Sequence, residues 1–470
     1  MDRLLDDFGS THFGAADLGD ARRTARLVQI ADAIARRPQG SLPDKMHSPA
    51  ALKALYRLMN QPTVTHESVL QPHYEQTRQA IAACQGVVLL VHDPTEINLT
   101  SKRSLHPELG QLGDGKRSRG FLCHNSLAVT AAGEPLGLAQ QILHVRVRRS
   151  KADSRAQRRA CRARESRLWV RGRQAIGPLP AGPLVVDLCD RGGDCFEFLD
   201  YEHAHDHAYV VRSFCNRVCR VGHGPDGVAA KLHDHLRSLP GQGQRGVEVL
   251  PQPARGKHPA QPGRTAVVAV AWAAVQLRPP PPGQARGEHR QEPLAVWGLR
   301  VGEVSPPAGV KPLEWLLLSN VPVGSLADAW ERVGWYQQRW PTAEEYHKGQ
   351  KTGCDIEGPQ FTTAQAMRPM IGVLSVVAWL LMRLRWAARD EPAASRPAAA
   401  VVPPEWVRWL SRWREGQERP DWTVRQFFLA LARLGGHQNR KSDGPPGWQT
   451  LWKGWMKLHA ALELLAGDTS

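Results

Sequence analysis

Two adjacent acids, Glu344 and Glu345, stand within Tyr336 to Lys351 (Y-Q-Q-R-W-P-T-A-E-E-Y-H-K-G-Q-K), framed by Arg339, His347, Lys348 and Lys351. From Glu344 onward this stretch has good helix formers and one glycine, and Pro341 suits a first helical turn. At 3.6 residues per turn such a helix sets Glu344, Lys348 and Lys351 on one face. A carboxylate beside two ammonium groups is what a site for metal-bound phosphate needs. The same spacing also makes an ordinary i,i+4 salt-bridged helix, worth about 0.2–0.5 kcal/mol.

Two more acids belong beside it. Asp93 closes the apolar run Gly86-V-V-L-L-V-H-D, and Asp190 closes Leu184-V-V-D-L-C-D before the turn Arg191-Gly-Gly. Short continuous apolar runs read as strands buried on both faces, so each acid is expected at an exposed strand end. Three converging carboxylates raise one another's pKa, and divalent metal relieves the repulsion. Oxygen-only donors suit Mg²⁺ or Mn²⁺. Two such ions can activate a water or 3′-hydroxyl and stabilise the leaving oxygen of an in-line displacement at phosphorus.

The elements that must hold these acids are legible as alternating helices and strands. Asp20 can cap a helix whose stripe is Leu27, Ile30, Ala31 and Ile34, with Arg22, Arg23 and Arg26 on its first turns. Cations there oppose the helix dipole, so the three arginines are expected to serve phosphate outside the fold, the alternative being a merely solvated face. A second helix starts at Pro49. Val210-V-R-S and Trp315-L-L-L-S-N read as further strands, giving an α/β layer with acids along one edge. Residues 222–310 are rich in Gly and Pro between β-like runs and read as a mostly β insertion. The run from Ile371 to Leu384 reads as a buried helix, too short for a bilayer and broken by Arg383. His203, His205 and His207 fall in a polar, loop-like stretch and are expected to be exposed non-ligands.

The chain has 470 residues, 61 Lys and Arg against 45 Asp and Glu, and a net charge of +16. That field favours a polyanion as partner, and the length implies two to four domains. Eight scattered cysteines, with one C-x3-C pair at Cys215 and Cys219, read as reduced thiols of a cytoplasmic protein without a membrane segment. The acidic opening Met1-Asp-Arg-Leu-Leu-Asp-Asp lacks the pattern of a signal peptide.

Taken in order, several motifs resemble the IS-four family of bacterial DDE transposases. Tyr336-x2-Arg339 followed by Glu344-x6-Lys351 is similar to its Y-R-E-K signature. Phe13-G-A-A-D-L-G-D-A-R-R-T-A-R-L resembles its end-recognition helix, Asp93-P-T-E its first catalytic acid, and Asp190-R-G-G-D its second. Glu165-S-R-L-W and the segment from Arg440 to Trp455 are similar to two further family segments. In one place the spacing departs: four residues separate Arg339 from Glu344 where the family has three. The resemblance implies a ribonuclease-H-like catalytic core (76–221 and 311–388) with a β-rich insertion (222–310), flanked by helical N-terminal (1–75) and C-terminal (389–470) domains. It implies a cut-and-paste enzyme holding two Mg²⁺ or Mn²⁺ ions on Asp93, Asp190 and Glu344. Tyr336, Arg339, Lys348, Lys351 and Arg212 would grip phosphates, and Arg22, Arg23 and Arg26 would contact the element end. Its partners would be terminal repeats, target DNA and a second copy of the chain. Two other readings fit the residues: a catalytically inactive DNA-binding derivative, and a metal-dependent nuclease without strand transfer.

Overall fold

The computed structural model describes residues 7–113, 117–146, 161, 164–221, 227–249, 251, 254, 260, 262–280, 289–440, 443–444 and 446–467. The basic segment from Lys151 to Ala160 and parts of the proline-rich loops therefore lie outside the described residues.

Five helices open the chain: α1 (Phe8–Phe13), α2 (Ala21–Arg36), α3 (Leu42–Met46), α4 (Pro49–Met59) and α5 (His66–Ala82). The Asp20 carboxylate caps α2 by accepting from the Arg22 N–H, and Leu27, Ile30, Ala31 and Ile34 form its buried stripe. Strands β1 (Val87–Asn98), β2 (Gly110–Gln111), β3 (Arg119–Thr130) and β4 (Pro135–His144) follow, then α6 (Leu168–Ile176), β5 (Leu184–Cys189), α7 (Phe196–Ala204) and β6 (Ala208–Arg212). Next come β7 (Val218–Val221), β8 (Val228–Lys231), α8 (Leu232–Ser238), β9 (Gln242–Val249), β10 (Arg264–Leu277), β11 (Leu294–Glu303) and β12 (Glu314–Ser319). The chain ends in α9 (Leu326–Lys348), α10 (Ala364–Arg389), α11 (Glu391–Ala394), α12 (Pro404–Glu415), α13 (Val424–Leu434) and α14 (Trp448–Gly467).

Among the described residues twelve strands join one mixed sheet in the order β2-β3-β1-β5-β6-β12-β11-β10-β7-β8, with β4 on β3 and β9 on β10. Strands β1, β5 and β6 are parallel, and the other pairings are antiparallel. The strands of residues 222–310 therefore do not form a sheet of their own; they continue the central one through β12. On one face the sheet packs against the N-terminal helices, α9, α10 and the C-terminal helices in one large core. The other face is covered by α6, α7 and α8.

Several sequence expectations are corrected here. Asp93 does not end its strand: β1 continues to Asn98 against β3, and only the parallel ladder to β5 stops, at His92 opposite Cys189. Helix α9 does not begin near Pro341. It begins fifteen residues earlier, after a capping box in which Ser325 and Asp328 bond reciprocally, and Pro341 lies in its interior. Burial of Trp335, Tyr336, Arg339, Thr342, Ala343 and Tyr346 against the sheet holds the helix through the missing N–H of Pro341. Lys351 lies on a wider π-type turn, Gly349–Gly353, and so leaves the α-helical face shared by Glu344 and Lys348. His203 belongs to α7, with Nε2 3.2 Å from the Tyr209 hydroxyl.

Helix α10 is longer than its apolar run. By length and composition alone it could cross a bilayer, yet 89% of its apolar window is buried inside the protein. Arg383 is accommodated with its guanidinium 5.5 Å from the Trp379 ring centre. All eight cysteines are free.

Helices α13 and α14 meet at two glycines. A Cβ on Gly454 would fall 1.8 Å from the Leu431 carbonyl oxygen, and one on Gly435 would fall 1.7 Å from that of Thr450. Backbone on both sides leaves nothing flexible to yield. Gly454→Ala is expected to destabilise this pair by about 1–3 kcal/mol, seen as a lower melting temperature. An unchanged melting temperature would mean the helices separate freely.

Candidate active site and DNA-binding region

Asp93 and Asp190 are brought together by the parallel pairing of β1 and β5. The last paired residues are His92 and Cys189, so the acids follow side by side where the ladder ends. Asp190 then caps a short turn, accepting from the Gly192 N–H at 2.9 Å. Across the gap, α9 lays Tyr336 and Arg339 on the sheet, and the Arg339 guanidinium pairs with the Asp93 carboxylate.

Burial sets the electrostatics. It raises the Asp93 carboxyl to about 7; Arg339 opposes the rise, while the charges of Asp190 and Glu344 add to it. Burial likewise raises Asp190, against Arg339, the backbone N–H groups of Gly192 and Gly193, and Arg212. The Arg212 guanidinium is itself lowered, first by its own burial. His347 is pushed down to about 3 by burial and by the neighbouring Lys351 and Arg339, so it is neutral at physiological pH. The site thus sets two carboxyls raised by burial against the guanidiniums of Arg339 and Arg212.

Glu344 is near enough for Asp93 to feel its charge, but its carboxylate lies 3.4 Å from the Lys348 ammonium on the outer side of α9. In a regular helix Arg339 shares its face with Ala343, which is buried, and Glu344 is turned by roughly 100° from Ala343. Among the described residues no three or more His, Cys, Asp or Glu side chains are gathered closely enough to hold a metal ion. The structure therefore brings Asp93, Asp190, Arg339 and Tyr336 together with Arg212 nearby, and leaves Glu344 and Lys348 at the rim. Lys351 is exposed on the turn below. Glu345 faces the other way, into Arg385 and Arg389 of α10, the latter at 3.2 Å.

Sequence reasoning missed what supports this site. Gln350 is completely buried and donates to Ser375 at 3.0 Å, while Asn125 donates to it from β3 at 3.4 Å. Gln141 completes the set with bonds to Asn125 and Ser375 at 2.7 and 2.9 Å. These amides fix the π-type turn, and with it Lys351, to the sheet. Nothing in their spacing signals this, because the partners lie on four separate elements. Trp272 and Trp297, the aromatics of the insertion, pack against the main core.

The N-terminal helices carry the other functional region. Arg22 and Arg26 are exposed on α2, with Arg22 paired at 3.0 Å to Asp20. Arg23, partly buried, donates to the Leu18 carbonyl at 3.0 Å and to Thr63 at 2.9 Å, tying α2 to the loop after α4. Residues 6–64 match the transposase DNA-binding family. This match to a transposase DNA-binding domain makes DNA the polyanion that the chain's positive charge suits. The domain is docked firmly: Lys45 donates to the Cys354 carbonyl at 3.0 Å, and Trp455 of α14 to that of Arg36 at 2.9 Å.

Replacing Arg22 and Arg26 together by Ala is expected to weaken DNA binding and to reduce the slope of log affinity against log salt by about 2, one phosphate each. Arg23→Ala is expected instead to lower the melting temperature, because it removes two bonds within the fold. Salt titrations of binding, read beside melting curves, separate the two; equal salt slopes in the double variant and wild type would remove Arg22 and Arg26 from the interface.

Proposed function

We propose that the chain is a cut-and-paste DNA transposase of the IS-four type, with a ribonuclease-H-like catalytic core. The observation that carries the reading is the pairing of Asp93 and Asp190 at the end of the β1–β5 ladder, set against Arg339, in a chain that matches a transposase DNA-binding domain. The order β4-β3-β1-β5-β6, an antiparallel meander followed by two parallel strands, supports the core assignment.

Asp93 and Asp190 fit Mg²⁺ or Mn²⁺ as two oxygen ligands, both raised in pKa by burial, and Glu344 at the rim would complete the set only by turning inward from Lys348. Asp93, Asp190 and Glu344 would hold two such ions, which supply activation of the attacking hydroxyl and stabilisation of the leaving oxygen. Arg339 and Tyr336, with Arg212, Lys348 and Lys351 around them, grip the phosphates flanking the scissile bond. Arg22 and Arg26 read the element end as phosphate contacts, and the helical C-terminal region joins two copies in the synapse. A cytoplasmic location agrees with access to DNA.

One observation favours a second reading. Ala343, not Glu344, occupies the buried position one turn after Arg339, so a catalytically inactive DNA-binding derivative is the alternative. The deciding experiment incubates the protein and Mg²⁺ with a labelled duplex carrying the terminal repeat that flanks its own reading frame. Nicking at the repeat's edge, with hairpin or joined products, supports the enzyme. Binding without any cleavage leaves the derivative.

A further inference from the structure

On the opposite face of the sheet from the carboxylates lies a second polar set that the chemistry above does not use. Alternation along β1 turns His92 away from Asp93. Its imidazole is completely buried and joins both neighbouring strands: Nδ1 lies 2.8 Å from Ser126 Oγ on β3, and Nε2 lies 2.6 Å from Asp187 Oδ1 on β5. The other Asp187 oxygen accepts from Arg173 Nε on α6 at 3.3 Å, and Arg173 also donates to the Gly177 carbonyl at 2.9 Å. Behind them is Glu202 of α7, also buried, its Oε2 3.2 Å from His207 Nδ1. Burial alone would raise Asp187, but Arg173 and His92 bring it below the usual carboxylate range, while burial and the Asp187 charge push Glu202 up.

Apolar packing was available at this place. Val88, Leu90, Ala128 and Ile176, from the same strands and from α6, form a small apolar core. A buried ionic set is seldom more stable than apolar residues of the same volume, so stability does not account for it. What directed bonds add is position: they fix strands at one level, where apolar contacts tolerate a slip. That level is the one that matters. His92 precedes Asp93, pairs with Ser126 across β3, and faces Cys189, whose next residue is Asp190. Beyond it no β1–β5 ladder remains to hold the two carboxylates apart at a set distance.

We propose that His92, Asp187 and Arg173 are positioning residues that set the separation of Asp93 and Asp190, and through it the affinity of the site for a divalent ion. This rests on the metal-dependent reading above. The polar set acts from behind the sheet and touches no substrate.

The test uses the full chain and Mn²⁺ alone, with binding followed by calorimetric titration and by the ion-induced rise in melting temperature. Asp187→Asn keeps the shape and is expected to weaken Mn²⁺ binding by about tenfold, the usual scale for groups that orient ligands from behind. An apolar triple variant, His92→Leu with Asp187→Leu and Arg173→Met, is expected to melt like the wild type without metal and still to bind Mn²⁺ weakly. Wild-type Mn²⁺ affinity in the triple variant would overturn the proposal, because the set would then serve only the fold. Should the triple variant not fold, Ser126→Ala decides: weaker Mn²⁺ binding at an unchanged melting temperature supports positioning, and unchanged binding overturns it. A wild type that binds duplex DNA but takes up no Mn²⁺ overturns the metal reading and this inference together.

Discussion

Asp93→Asn is expected to abolish metal-dependent nicking of terminal-repeat duplex while leaving duplex binding intact. The loss should be at least about a thousandfold, equivalent to roughly 4 kcal/mol of transition-state stabilisation. A second signature follows from the raised carboxyl. A group whose pKa is higher in the folded state favours folding while protonated, below its unfolded value near 3.8, and that contribution is lost as pH rises to about 7. Above pH 7 the metal-free fold carries the whole cost of an ionised Asp93 beside Asp190 and Glu344, with Arg339 as partial offset. Asn has no such ionisation and keeps an oxygen for Arg339. The variant is therefore expected to melt higher than wild type at pH 8, by about 2–4 kcal/mol of stability, and to lose most of that advantage at pH 4. Melting curves at the two pH values, without metal, check it. A variant less stable than wild type at pH 8 would mean that the Arg339 pair outweighs burial. Retained nicking would remove Asp93 from the chemistry.

The same residues show how far the sequence reaches. Continuous apolar runs identified β1, β5, β6 and β12, because strands buried on both faces need no polar alternation. The motif order pointed to Asp93 and Asp190. What spacing could not give is long-range. That β12 accepts the insertion's strands, making one sheet, depends on which edges pair, and no local signal encodes it. The start of α9 is hidden from the sequence because Pro341 is a strong local marker for a first turn, whereas burial of one helix face over 23 residues is a tertiary effect. Arg23 reads as a phosphate contact from its place near a helix start. Its partners, Leu18 and Thr63, become visible only when the loop after α4 folds back. His92 and Asp187 are polar interruptions of apolar strands, and those interruptions are the polar set behind the site.

The adjacent acids Glu344 and Glu345 are expected to separate cleanly by substitution. Glu344→Gln should remove cleavage by about a thousandfold or more with little change in melting temperature, because its side chain is 40% exposed and its one ion pair, to Lys348, is a surface pair. Glu345→Gln should do the reverse. Its carboxylate serves Arg385, a largely buried guanidinium that burial lowers to about 10 and that Glu345 holds up. Neutralising Glu345 strands that charge, at about 1–3 kcal/mol, and loosens α9 from α10 without touching the carboxylates across the cleft. Melting curves and single-turnover cleavage of the same duplex, measured for both variants, check the contrast. The outcome also settles what the extra residue after Arg339 does. If Glu344→Gln cleaves like wild type, then the turn of roughly 100° that puts Ala343 in register with Arg339 has taken the third carboxylate out of the site. If cleavage is lost, the side chain of Glu344 leaves Lys348 and reaches inward when DNA binds, and the helix tolerates the added residue because its inner face is held at Tyr336, Arg339 and Tyr346 rather than at the acid.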